Sequence, residues 1–160
     1  MLFYDILQQM GMKIALACDH GGYALKEKIR DWLTDVGHEV RDFGCCSPES
    51  VDYSDHAIPA AEAVATGEAD RAVVICTTGI GVSISANKVK GVRCALCADT
   101  MTARMTREHN DTNALALGAG VVGENLAKEI LFTWLTTPFS GAERHRRRID
   151  KISAYESQIK

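Results

Sequence analysis

The sequence predicts an α/β fold: one Rossmann-like, doubly wound parallel sheet of five strands inside a three-layer αβα sandwich. Three observations predict it. Short apolar runs alternate along the chain with stretches whose apolar residues recur at helical spacing, the pattern of βαβ units. The run Ala72-Val73-Val74-Ile75-Cys76 carries no charged residue, as a strand covered on both faces requires. Clusters of residues able to do chemistry follow the apolar runs, and open α/β sheets bind ligands at the carboxyl ends of their strands.

Each element has its own signal. Residues 1–11 lack a basic leader and carry Asp5 within their apolar part, so they do not read as a secretory signal. They are expected to be an extension outside the fold, with the domain spanning 12–160. Lys13 to Cys18 is the first strand. Leu25, Ile29, Trp32, Leu33 and Val36 then mark an amphipathic helix closed by Gly37. Glu39 to Phe43 is the second strand. The alanine-rich stretch Ala57 to Ala65 reads as a helix, with Pro59 expected in its first turn. After the third strand comes a loop, Thr77 to Gly81, and a short helix, Val82 to Lys88. Val92 to Cys97 is the fourth strand, Met101 to Glu108 a helix, and Ala114 to Leu117 the fifth strand. Leu126, Ile130, Leu131, Trp134 and Leu135 mark another helix, broken at Pro138 to Gly141. A polar helix then runs from Arg144 toward Tyr155.

Composition narrows the function classes. The chain has 160 residues, enough for one domain with its own core. Its formal charge is −3, with 24% charged residues, so nucleic acid is not an expected partner. No apolar run reaches membrane-spanning length, and no targeting signal stands out; the expected location is the cytoplasm. Six cysteines invite a disulfide reading, but most lie in apolar runs of a chain too long to need staples. The Cys94-x-x-Cys97 pair lacks a second ligand pair, so no metal is expected, and reduced thiols packed as small apolar groups are the simpler reading.

Several clusters carry chemistry. The first strand ends in Asp19-His20-Gly21-Gly22. The third ends in Cys76-Thr77-Thr78-Gly79-Ile80-Gly81, entering a helix. The segment before the fifth strand is His109-Asn110-Asp111-Thr112-Asn113. Glycines at a helix entry free backbone N–H groups for an anion, and a thiol beside them favours thiolate. Taken alone, Thr78 to Gly81 is equally a tight turn, and Cys76 a buried strand-end cysteine. A histidine such as His20 or His109 suits proton transfer near neutral pH when it lies in a cleft, and otherwise is a surface residue. Arg144 and Arg148, four residues apart on one helix face, are either a solvated surface or a phosphate fork.

Together, Cys18-Asp19-His20-Gly21-Gly22, Asp52-Tyr53, Cys76 through Ser83, Ala86-Asn87-Lys88, Arg107 through Asn113 and Arg144-His145 resemble the type B ribose-5-phosphate isomerase family, which also holds allose- and galactose-phosphate isomerases. The resemblance runs from Met12 to about Tyr155. It implies a cofactor-free aldose–ketose isomerase of the pentose phosphate pathway, acting as a homodimer or a dimer of dimers. It assigns Cys76 as the base, with Thr78, Gly79, Ile80 and Gly81 stabilising an enediolate. His109 aided by Asp19 would open the sugar ring. His20, Arg144 and Arg148 would hold the phosphate, and Tyr53 and Asn110 the sugar. It also implies that the C-terminal helix, with Ile149, Ile152 and Tyr155 on one face, reaches the partner subunit. Two departures stand out. Thr77 occupies a position where the family usually has glycine, and Gly118-Ala119-Gly120 lacks an arginine common there. The substrate therefore stays open between a ribose phosphate and a six-carbon sugar phosphate. A non-catalytic phospho-ligand module on the same sheet is the alternative outside enzymes.

Overall fold

The computed structural model describes residues 11–159; the proposed extension, Gly11 apart, lies outside the described residues. Among these residues the chain alternates β1 (Lys13–Cys18), α1 (Tyr23–Asp35), β2 (Glu39–Asp42), α2 (Tyr53–Ala65), β3 (Arg71–Cys76), α3 (Ile80–Ala86), β4 (Cys94–Leu96), α4 (Thr100–Asn110), β5 (Ala114–Gly118), α5 (Glu124–Thr136) and α6 (Glu143–Glu156). The five strands form one sheet in the order β2-β1-β3-β5-β4, and every pair is parallel. The predicted α/β architecture is therefore present.

Alternation along the strands sorts the core into two unlike halves. Ile14, Leu16, Val73, Ile75, Leu115 and Leu117 point to one face, where they pack with Ile29 and Leu33 of α1 and Ile130, Leu131 and Trp134 of α5. Ala15, Ala17, Ala72, Val74, Ala114 and Ala116 point to the other, against Ala57, Ala60 and Ala61 of α2 and Val82 and Ala86 of α3. All these side chains are buried. β3 lies at the centre and is buried along nearly its whole length, as its apolar run requires.

Several boundaries differ from expectation. Helix α2 begins at Tyr53, four residues earlier than its alanine run suggested, so Pro59 falls inside the helix and not in its first turn. Pro59 has no N–H to give the preceding turn. Packing of Ala57, Ala60, Ala61 and Ala63 holds the helix together across that gap. β4 shrinks to three residues, because Arg93 turns aside: its backbone N–H donates to Asn113 Oδ1 at 2.8 Å. α4 starts at Thr100, where the Asp99 side chain accepts the Thr102 N–H at 2.7 Å, and runs on to Asn110. His109 therefore lies within its last turn.

The chain leaves β1 toward β2 on one side and β3 toward β5 and β4 on the other. That reversal opens a crevice beyond the carboxyl ends of β1 and β3.

Candidate active site

The crevice holds the first group of expected residues. Asp19 follows β1 directly, and its N–H donates to Ile75 O of β3 at 3.1 Å. Its carboxylate is buried and accepts the Gly22 N–H at 3.1 Å, fixing the entry to α1. His20 is exposed beside it. Its Nδ1 accepts the Val51 N–H at 3.3 Å, which leaves Nε2 to carry the proton.

Cys76 closes β3 and is 5% exposed. The Gly79 N–H donates to its Sγ at 3.1 Å. Gly79 has φ +78°, and a Cβ there would come within 2.9 Å of the Leu117 carbonyl carbon, so the turn requires glycine. Thr78 is exposed, and its Oγ1 accepts the Ile80 N–H at 3.3 Å. The Tyr53 ring lies directly over Gly81, where a Cβ would meet ring carbons at 2.8–3.0 Å. Asp19, His20, Tyr53, Cys76, Thr78, Gly79, Ile80 and Gly81 thus share the carboxyl end of the sheet.

His109, Asn110, Arg144 and Arg148 do not join them. A helix that links two parallel strands returns to the amino end, so the last turn of α4 lies below the sheet. The register fixes this: Ala72 pairs with Ala114 at the amino end and Cys76 with Gly118 at the carboxyl end. The two levels are four residues apart, about 13 Å at ~3.3 Å per residue. His109 precedes the lower level.

The amino-end group is built with care. His109 packs against His145 of α6 in a tilted contact, ring centroids 4.2 Å apart at 45°. His145 is 3% exposed and its Nδ1 lies 2.8 Å from Ser140 Oγ. Burial first, then His109, Arg144 and Arg148, push its pKa below the usual histidine range. The turn after His109 is clamped by two arginines. Buried Arg107 donates to Asp111 Oδ1 at 2.7 Å and Thr112 O at 2.6 Å. Arg93 donates to Asn110 O at 2.9 Å and Asp111 O at 2.7 Å. Asp111 itself takes φ +45° as it ends α4. Trp134 Nε1–H holds Thr112 Oγ1 at 2.9 Å.

Arg107 and His145 stand in the motifs quoted above without a role of their own, and Arg93 stands in none of them. The spacing of Arg107 and Asp111, four residues apart, was a readable signal; the His109–His145 contact, between segments far apart in the chain, had none.

Three of the other cysteines, Cys18, Cys94 and Cys97, have thiols pushed up by burial. Cys18 and Cys45 touch at 3.7 Å in the core, and burial and Cys45 push the Cys18 thiol up. Burial and Cys97 raise the Cys94 thiol to about 12. Among the described residues no group of three His, Cys, Asp or Glu side chains is placed to hold a metal ion. No helix among them is long and apolar enough to cross a membrane.

Comparison with known proteins adds an independent observation. A family profile described as Ribose/Galactose Isomerase matches residues 14–152. The solved structure of ribose-5-phosphate isomerase B from Clostridium thermocellum is 54% identical, covers 92% of this chain and 99% of its own, and superposes with a TM-score of 0.90. Ribose-5-phosphate isomerase B of Escherichia coli (strain K12) is 46% identical over 91% of this chain and 97% of its own length. A relative named D-erythrulose-4-phosphate isomerase, from Pectobacterium atrosepticum, is 39% identical over 93% of this chain and 98% of its own. With the profile spanning most of the fold and both ends of the sheet equipped as described, the chain belongs to the ribose/galactose isomerase family and is a sugar-phosphate isomerase.

Proposed function

We propose that the enzyme interconverts ribose 5-phosphate and ribulose 5-phosphate through an enediolate, without a cofactor, in a homodimer with composite sites. The observation that carries the chemistry is the seat of Cys76: a buried sulfur at a strand end, facing the Gly79 N–H at the head of a turn. That N–H offers a hydrogen bond to a thiolate. Cys76 takes the proton from C2 of the open aldose and returns it to C1 of the ketose. The Thr78 O–H and the Gly81 N–H, neither spent on the contacts above, face the oxygen on which charge develops. Tyr53, over Gly81, bounds the sugar, and His20 Nε2–H faces the phosphate.

His109 must reach the furanose to open it, and within one chain the length of the sheet separates it from Cys76. A second copy supplies it. His109 and Asn110 of the partner subunit, with its Arg144 and Arg148, then complete the pocket, Asp19 helping in ring opening. The exposure of Ile152 (56%) and Tyr155 (68%) on α6 supports the idea that this helix is covered by another subunit. Six free thiols suit a reducing compartment such as the cytoplasm.

The relatives act on more than one sugar phosphate by name, so the substrate is tested directly. Purified enzyme is assayed on ribose 5-phosphate, allose 6-phosphate, galactose 6-phosphate and erythrulose 4-phosphate. The highest kcat/KM is expected on ribose 5-phosphate; a higher value on another sugar overturns that assignment.

A further inference from the structure

We infer that Thr77 is a specificity-determining residue: its side chain forms the wall that limits how long a sugar phosphate the crevice accepts. The inference rests on the function proposed above.

Thr77 sits between Cys76 and Thr78 at the end of β3 and is exposed. Its side chain spans the gap between the loops that follow β1 and β5. On one side Oγ1 faces Gly21, so closely that any Cβ at residue 21 would collide with it. On the other, Cγ2 faces Gly120, where a Cβ would lie 3.2 Å from the methyl and 3.1 Å from Thr77 O. The Gly120 N–H also donates to Thr77 O at 2.8 Å, which fixes that loop against the strand. Two glycines, from separate loops, make room for one threonine.

Beyond this contact lies unused space. Gly21 and Ala119 border a cavity of about 270 Å³ between the start of α1 and the start of α5. Lys28 and Glu124 also line it, bridged at 2.8 Å. The reacting carbons belong at Cys76 and the phosphate at His20, the neighbour of Gly21. The carbons between them therefore pass residue 77. An added carbon must bow outward along this path, and the Thr77 side chain occupies that room. Gly21, which the Thr77 side chain abuts, also lines the cavity, so a smaller side chain leaves room on that side.

The test measures binding of phosphorylated aldonic acids of four, five and six carbons (4-phosphoerythronate, 5-phosphoribonate and 6-phosphoallonate) by titration calorimetry. Wild-type enzyme is compared with Thr77→Ala, Thr77→Ser and Thr77→Val. The wild type should bind the five-carbon acid better than the six-carbon one. Thr77→Ala should raise the six-to-five affinity ratio by ~10-fold or more, the lower end of what a methylene-sized change in a fitted pocket yields. Thr77→Ser removes only the methyl facing Gly120; it should shift the ratio the same way by less, and carries the test if Thr77→Ala does not fold. Thr77→Val keeps the volume and should leave the ratio within ~3-fold. An unchanged ratio in both smaller variants overturns the wall. A shift in Thr77→Val equal to that in Thr77→Ala also overturns it, since the hydroxyl and not the volume would then be what matters. Binding of none of the acids by wild type would instead sink the sugar-phosphate reading, and this inference with it.

Discussion

The His109 and His145 rings meet with centroids 4.2 Å apart, and this contact joins the last turn of α4 to the first turn of α6. It brings the imidazole expected to open the sugar ring and the Arg144–Arg148 face onto one surface. That surface lies at the amino end of the sheet, while Cys76 lies at the carboxyl end.

Replacing Cys76 separates chemistry from folding. Cys76→Ala should lower kcat by ~100–10,000-fold, the usual cost of losing an essential acid–base group. Circular dichroism and melting should stay near wild type, because alanine is close to cysteine in size and brings no polar group to the alanine-rich half of the core that Cys76 joins. Near-normal turnover would make Cys76 a structural thiol.

Complementation tests the composite site. Cys76→Ala and Arg148→Ala should each be nearly inactive alone. After subunit exchange, a mixed dimer carries one intact site and one doubly damaged site, so a random mixture should recover about a quarter of wild-type activity, by the statistics of closed two-fold pairs. No recovery after exchange verified by mass spectrometry would place both residues in one chain's site.

Lys26 is the most deeply buried charge in α1, 1% exposed. Its ammonium donates to Asp42 Oδ2 at 2.6 Å and to Cys45 O at 2.9 Å. Burial opposes the charge, but Asp42 and Glu27 outweigh it and hold the Lys26 pKa above its ordinary value. Lys26→Ala leaves a carboxylate and a carbonyl without their donor. It should cost about 2–3 kcal/mol in urea unfolding, below the ~3–5 typical of a fully buried pair because Asp42 is 26% exposed. A loss under ~0.5 kcal/mol would mean that water replaces the ammonium.

Two histidines should make folding sensitive to mild acid. Burial pushes His38 below the ordinary range, and its Nδ1 accepts the Met12 N–H at 3.2 Å. His145 is lowered as well, by burial and by neighbouring His109, Arg144 and Arg148. The unfolded chain therefore binds more protons than the folded one just below the ordinary histidine pKa of ~6.5. Their contribution is complete above that value and is lost as pH falls. The melting temperature should drop between pH 8 and pH 5, and His38→Gln should show a smaller drop over the same interval. Equal drops would assign the acid sensitivity elsewhere.

Much of this was written in the order of residues. The run Ala72–Cys76 reads as a buried central strand because nothing in it tolerates water, and the strand-end rule gathers Asp19, His20, Cys76 and the Thr78–Gly81 turn at one mouth. Local pattern says nothing of which strands become neighbours, so β4 taking the edge outside β5 was not legible. Pro59 suggests a first turn because sequence shows the missing N–H but not the alanines that hold the helix around it. The chemistry of His109 resembles that of the strand-end clusters, but the direction of the helix carrying it puts it at the other end. Arg93 reaches its partners across a gap in sequence that no periodicity marks.

The unequal halves of the core place the molecule's tolerances differently on its two sides. Where Leu16, Ile75 and Trp134 meet α1 and α5, a truncated side chain leaves a hole, and the penalty falls on stability. Where Ala15 and Ala72 of the sheet meet Ala60 of α2, there is little to truncate and little slack to absorb an added methyl. Growth at Ala60 must lift α2 bodily, and Tyr53, at the head of that helix, would lose its place over Gly81. The alanine side thus works as a shim that sets the height of the crevice beside Cys76. Sequence drift there is restricted by size, and a protein that drifted too far would still melt as one unit while no longer turning over its sugar.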